Sequence, residues 1–148
     1  MKTIILALSL LLSLPALANW EAKVTDANVT SMSGPDSTGW SGGMSVALDG
    51  LFTIGAFPPD WEKGDSTVTG RGKATIKVNG QAVKFDVRGH ADGSIYLHAA
   101  TYKGRAYIWG EFWNKARVVF INEDGSRVIQ SAKGFQQAWT TMTEGQGI

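Results

Sequence analysis

ATIKVNGQAVKFDVRG, residues 74 to 89, alternates apolar and polar side chains on either side of Asn79-Gly80. Asn-Gly is the strongest two-residue hairpin signal, because both central positions of a type I′ turn need positive φ. A turn at that point sets Ile76 opposite Val83 and Ala74 opposite Phe85 on one side, with Thr75 opposite Lys84 and Lys73 opposite Asp86 on the other. One side is apolar and the other charged, as expected of a hairpin with one face on a core.

The same alternation continues outward in both directions. Asp49-Gly50 in SVALDGLFTIG predicts a second hairpin, with Leu48 opposite Leu51 and Val46 opposite Thr53, and Asp124-Gly125 in VVFINEDGSRVIQ predicts a third. Further turns are expected at Ala91-Asp92-Gly93, Lys103-Gly104 and Asn114-Lys115. Together they delimit nine strands, at roughly 20–30, 43–48, 51–57, 66–78, 82–89, 94–101, 105–113, 116–122 and 127–133. The fold class this implies is all-β: one domain over residues 19–142, an antiparallel meander closing into a barrel, because closure removes exposed strand edges. A β-sandwich is the alternative. Two longer connections, at 31–43 and 57–65, are rich in Gly, Ser and Pro and read as rim loops. Phe135, Trp139 and Met142 have helical spacing and predict a short C-terminal helix, followed by a frayed tail at 143–148.

Residues 93 to 113, GSIYLHAATYKGRAYIWGEFW, raise the functional question. Read as a hairpin turning at Lys103-Gly104, they pair Ile95 with Phe112, Leu97 with Gly110 and Ala99 with Ile108 on a packed face. The opposite face then gathers Tyr96, His98, Tyr102, Tyr107, Trp109 and Glu111. If that face points into a barrel, its rings line a cavity for a small ligand. If it points outward, they form a platform for a glycan or protein. If a loop or the C-terminal segment covers it, they are core. Trp40, Phe57 and Trp61 lie on the two rim loops and extend the candidate surface.

Residues 1–18, MKTIILALSLLLSLPALA, have Lys2, an apolar run, Pro15 and small residues at 16 and 18. They read as a secretory signal peptide, too short in its apolar run to span a bilayer. The chain has no cysteine, so no disulfide framework is available, which suits a bacterial periplasm better than an animal extracellular space. Residues 19–148 carry 13 acidic side chains and as many basic ones, which argues against bulk attraction to nucleic acid or anionic membranes. Charge is nonetheless polarised along the chain, with seven acidic and two basic residues in 19–70 against five acidic and eleven basic in 71–133.

Catalytic signals are weak. His98 and Glu111 are diagonal neighbours in the hairpin reading and make the best acid/base candidates, for a hydrolase. His90-Ala91-Asp92 lies in a turn, where Asp serves the backbone. Two His and no Cys supply too few ligands for a structural zinc, and no glycine cluster opens a helix to hold a phosphate. No cofactor or metal is expected. The sequence therefore predicts a secreted, non-catalytic binding protein that meets a protein or cell-wall glycan through its aromatic strand face or rim loops; the alternative is a barrel carrying a small hydrophobic ligand.

Overall fold

Asn79 and Gly80 take φ of 47° and 85° in a computed structural model that describes residues 19–147. The pairs around them are those the alternation demands: Ile76 with Val83, Ala74 with Phe85, Thr75 with Lys84 and Lys73 with Asp86. The two strands of this hairpin are the longest in the protein, Val68–Val78 and Gln81–His90.

Among the described residues nine strands form one antiparallel sheet: β1 (Glu21–Lys23), β2 (Asn28–Ser33), β3 (Ser41–Ala47), β4 (Phe52–Phe57), β5 (Val68–Val78), β6 (Gln81–His90), β7 (Ile95–Ala99), β8 (Arg117–Ile121) and β9 (Arg127–Ser131). Two helices accompany them, α1 (Tyr102–Asn114) and α2 (Phe135–Gly145). The all-β antiparallel expectation holds. The expected strand at 20–30 is two strands, because Ala27 takes φ 52° and turns the chain after Lys23. The expected strand at 105–113 is helix. The loop expected at 31–43 shrinks to 34–40, and the tail is helical through Gly145 rather than frayed from 143. The expected signal peptide, residues 1–18, lies outside the described residues.

Three turns share one device. Leu48-Asp49-Gly50, Ala91-Asp92-Gly93 and Glu123-Asp124-Gly125 are each closed by the glycine N–H donating to the residue before the loop, Ala47, His90 or Asn122. The Asp Oδ1 accepts the N–H two positions on, at Leu51, Ser94 and Ser126. These are three-residue loops with a left-handed third residue. The two-residue turn expected at Asp49-Gly50 is therefore corrected by one residue: Val46 pairs with Phe52 and Ser45 with Thr53. The extra loop residue places Val46 and Phe52, both fully buried, on the same face.

The strand order is β1-β2-β3-β4-β7-β6-β5-β8-β9, so a simple meander does not describe the sheet. The run β5-β6-β7 is inserted in reverse between β4 and β8. Each of the connections that permit this must cross three strand spacings, about 14 Å. They are the loop 58–67 and helix α1, which at 1.5 Å per residue reaches about 20 Å.

The sheet curls strongly without closing. This corrects the expected closed barrel, and with all nine strands in one hydrogen-bonded sheet it is not a two-sheet sandwich either. Trp20, just ahead of β1, donates its backbone N–H to Lys133 (3.4 Å) and its indole N–H to Ser131 (3.1 Å), linking the two edges by single contacts in place of a ladder. Gly134 turns the chain out of β9 in a left-handed conformation (φ 85°), and α2 packs against β1 and β2 where a further ladder would lie. Across the interior, Gln130 of β9 donates to the hydroxyl of Ser31 on β2 (3.2 Å), both side chains fully buried.

Helix α1 fills the concave side. Ile108 and Phe112 are its buried residues, and Phe112 lies 5.0 Å from Trp20, 5.5 Å from Phe135 and 6.1–6.2 Å from Phe52 and Phe120, centroid to centroid. Phe52 and Phe120 stack at 5.7 Å and 6°. This aromatic centre sits where a carrier barrel would need its lumen.

Candidate functional site

The hairpin face expected at 93–113 does not form. Ile95, Leu97 and Ala99 point into the core as anticipated, but their partners are Ala56, Ile54, Gly89, Val87 and Phe85 of β4 and β6, not residues 108–112. Tyr96 and His98 face outward from β7. Tyr102, Tyr107, Trp109 and Glu111 belong to α1 on the other side of the sheet. His98 and Glu111 consequently form no acid/base pair, because the sheet lies between them.

On the inner side, Glu111 and Tyr107 serve to dock the helix. The Tyr107 hydroxyl donates to the Val78 carbonyl (2.9 Å), and Glu111 Oε1 accepts from the Asn79 amide (3.1 Å) while Asn79 Oδ1 accepts the Val119 N–H (2.8 Å). The Asn79-Gly80 turn is thus also the anchor of α1 and β8. Burial and the neighbouring Glu111 carboxylate raise the Tyr107 pKa. Trp109 stacks on Trp113 (4.8 Å, 13°) and meets Trp139 edge-on (5.7 Å). With Leu48, Arg105 and the well-exposed Tyr102, Trp109 and Trp139 border a shallow groove of about 250 Å³ between the helices and the β3–β4 turn. Trp40 packs inward against the core from the loop 34–40, anchored by its N–H on Asp36 (3.1 Å).

On the outer side the structure assembles a ring cluster that includes residues from both rim and strand. Trp61 packs on Phe57 (4.7 Å), Phe57 meets Tyr96 edge-on (5.8 Å), His90 tilts against Tyr96 (5.0 Å), and Tyr96 and His98 lie parallel within 7° at 6.3 Å. All five are partly exposed. Gly55 makes room for two of them, and Gly43 for the neighbouring Met32. A Cβ at Gly55 would come 3.0 Å from Phe57 and 3.4 Å from Tyr96, and one at Gly43 would collide with Met32, whose thioether lies across it.

The loop 58–67 is pinned where it crosses this cluster. Asp65 and Thr67 carbonyls accept the N–H groups of Asp92 and Ala91, and Pro58 and Pro59 lie where a Cβ on Gly93 or on Gly39 of the neighbouring rim loop would meet them, at 3.1 and 2.9 Å. Asp65 and Asp92 each hold the hydroxyl and N–H of the residue two ahead, Thr67 and Ser94, and these bonds lower both carboxyl pKa values. The Trp61 indole makes no hydrogen bond of normal geometry but adds a smaller share to the lowering at Asp92. The ring cluster is therefore held on a stiff rim.

Register fixes what lies beside the rings. One outward row runs Thr30, Ser45, Thr53, His98, Asp86, Lys73; the next runs Met32, Gly43, Gly55, Tyr96, Arg88, Arg71. His98 Nδ1 shares a hydrogen bond with the Thr53 hydroxyl (2.9 Å). Its pKa is lowered, first by burial and then by Arg88, with Asp86 opposing. A nucleophilic hydroxyl would need its imidazole oriented by a carboxylate and a pair of donors for the developing oxyanion. Among the described residues no bond joins His98 to Asp86, so the row reads as cross-strand polar pairing. Burial raises the Tyr96 pKa, so its hydroxyl stays protonated at neutral pH.

The described residues contain no cluster of three or more His, Cys, Asp or Glu able to hold a metal ion, and no helix long and apolar enough to cross a membrane. His90 is the one member of the outer cluster that sequence reasoning set aside as a turn residue. Its position opposite Val68 at the end of β6, two residues along the outward face from Arg88, was the available signal. No family model, curated protein or solved structure matches the chain.

Proposed function

We propose that the protein is a non-catalytic binding protein that holds a glycan on the outer face of its sheet. The observation that carries this reading is the continuous run Trp61, Phe57, Tyr96, His98 on a solvent-facing surface, with Gly55 beneath Phe57 and Tyr96. Sugar rings present apolar C–H faces and polar edges. A shallow surface with half-exposed rings, bordered by Thr53, Ser45, Asp86 and Arg88, supplies both kinds of contact. A protein partner would call for large anchors that bury fully in a pocket, whereas these rings already pack on one another. The secretory, periplasmic setting belongs to the same proposal and is supported by the composition of residues 1–18 and the absence of cysteine.

Sedimentation with insoluble cell-wall glycan tests the reading. Wild type should pellet with the glycan, and Tyr96→Ala and Phe57→Ala should each remain in the supernatant with unchanged thermal midpoints. Equal pelleting of all three proteins, or capture of a stoichiometric protein partner in place of glycan, would reject it.

A further inference from the structure

The outer face becomes cationic within two strands of the rings. Moving from β7 through β6 to β5, the residues in line with Tyr96 are Arg88 and Arg71, and those in line with His98 are Asp86 and Lys73. Lys84 and Lys77 continue the same outward face toward the Asn79-Gly80 turn. Asp86 is the only carboxylate on the outward face of these two strands, and it lies 3.9 Å from Lys73. Among the described residues neither Arg71 nor Arg88 takes part in an ion pair. Arg71, Lys73, Asp86 and Arg88 border a depression of about 370 Å³, with backbone of Gly72 and Val87 between them.

Five cations against one carboxylate on a single strand pair is a local imbalance in a chain whose net charge is only +1. Salt screens the repulsion among these exposed like charges in part, and a bound anion relieves it further. Arginine suits carboxylate and phosphate oxygens because its planar fork can donate two parallel bonds. Tyr96, Arg88 and Arg71 occupy successive strands, so the line from ring to far guanidinium covers about 10 Å. A linear chain of two sugar units spans such a distance.

We infer that the ligand of the outer face is an anionic glycan, bearing carboxylate or phosphate groups, that lies across the strands with one sugar on Tyr96 and His98 and its charges on Arg88 and Arg71. This inference rests on the glycan reading above and adds the charge class. The near neutrality of the whole chain makes the attraction local to this face, unlike the extended basic field of a nucleic-acid-binding surface.

Affinity electrophoresis of the full chain separates the two claims, using gels cast with a linear polyuronate, with the same polymer fully methyl-esterified, or with a single-stranded oligonucleotide. Wild type should be retarded by the polyuronate about tenfold more strongly than by its neutral ester, as two exposed charge contacts allow. Arg71→Gln with Arg88→Gln should reduce polyuronate retention to the ester level without moving the thermal midpoint. Tyr96→Ala should lower retention by both polymers. Equal retention by acid and ester, unaffected by the arginine changes, would overturn the anionic assignment while leaving glycan binding intact. Retention by neither polymer would overturn both, as would preferential binding of the oligonucleotide.

Discussion

The indole of Trp20 stands edge-on to the ring of Phe112, 5.0 Å between centroids and 72° between planes. The contact joins the segment that enters β1 to the middle of α1, and Trp20 also holds the β9 edge through its two N–H donors. An open, curled sheet with a helix in its concavity depends on such a seam residue, because no ladder joins its edges.

Trp20→Ala and Phe112→Ala should therefore each cost about 3–5 kcal/mol, the range for deleting a buried aromatic. Urea denaturation followed by tryptophan fluorescence measures this for Phe112→Ala, and circular dichroism serves for Trp20→Ala. A loss below about 1 kcal/mol in both would show that the seam is not a stabilising feature.

Thr101 caps α1: its backbone is extended (φ −121°, ψ 151°) and its hydroxyl accepts the Gly104 N–H at 2.9 Å. Thr101→Ala should destabilise the protein by about 1 kcal/mol, whereas Thr101→Ser should be nearly neutral. The chemical denaturation midpoints of the pair give the comparison.

Asn79 serves two roles, a left-handed turn residue and a bridge between Val119 and Glu111. Asn79→Ala should cost about 2 kcal/mol or more, combining the left-handed strain with the lost bonds. Tyr107→Phe removes the hydroxyl's bond to Val78 and its longer contact with Glu111 (3.4 Å) and should cost about 1 kcal/mol. A double-mutant cycle between Asn79→Ala and Glu111→Gln should show coupling, while Asn79→Ala with Thr101→Ala should be additive.

His98 has a lowered pKa because it is partly buried beside Arg88. The unfolded chain then binds a proton at His98 more readily than the native one, so its contribution to stability is fully present above the ordinary value near 6.5 and is lost as pH falls through the lower native value. Urea midpoints should fall as pH goes from 7.5 toward 5, and His98→Gln should flatten that slope. A wild-type profile indistinguishable from that of His98→Gln would contradict the prediction.

Gly55 leaves space for two rings on the outer face. Gly55→Val should cost about 1–3 kcal/mol of folding stability, because Gly55 is buried beneath these rings and added side-chain volume overpacks the site. It should also displace Phe57 and Tyr96, alter the near-ultraviolet circular dichroism and weaken polyuronate retention several-fold. Unchanged retention with a shifted spectrum would separate the ring cluster from binding.

The sequence alone determined the antiparallel class, the Asn79-Gly80 hairpin with its register around the turn and the helical face of Phe135 and Met142, because each follows from local turn chemistry or side-chain periodicity; the slip between Val68 and Gly70 at the far end of the hairpin was not legible. It also placed Trp61 on a rim segment, whereas Phe57, expected on the same loop, is the last residue of β4. It misread 102–113, where Ile108, Gly110 and Phe112 satisfy a period of two as well as Ile108 and Phe112 satisfy a helical i, i+4 spacing. Two glycines and several β-prone aromatics favoured the strand. Tertiary structure decided for helix, because β7 already has β4 and β6 as neighbours and the concave side of the sheet must be filled. That one choice also divided the expected aromatic face, sending Tyr107, Trp109 and Glu111 inside the curve and leaving Tyr96 and His98 outside. Which rings share a surface depends on strand order, and strand order is set by long-range pairing that no local pattern encodes.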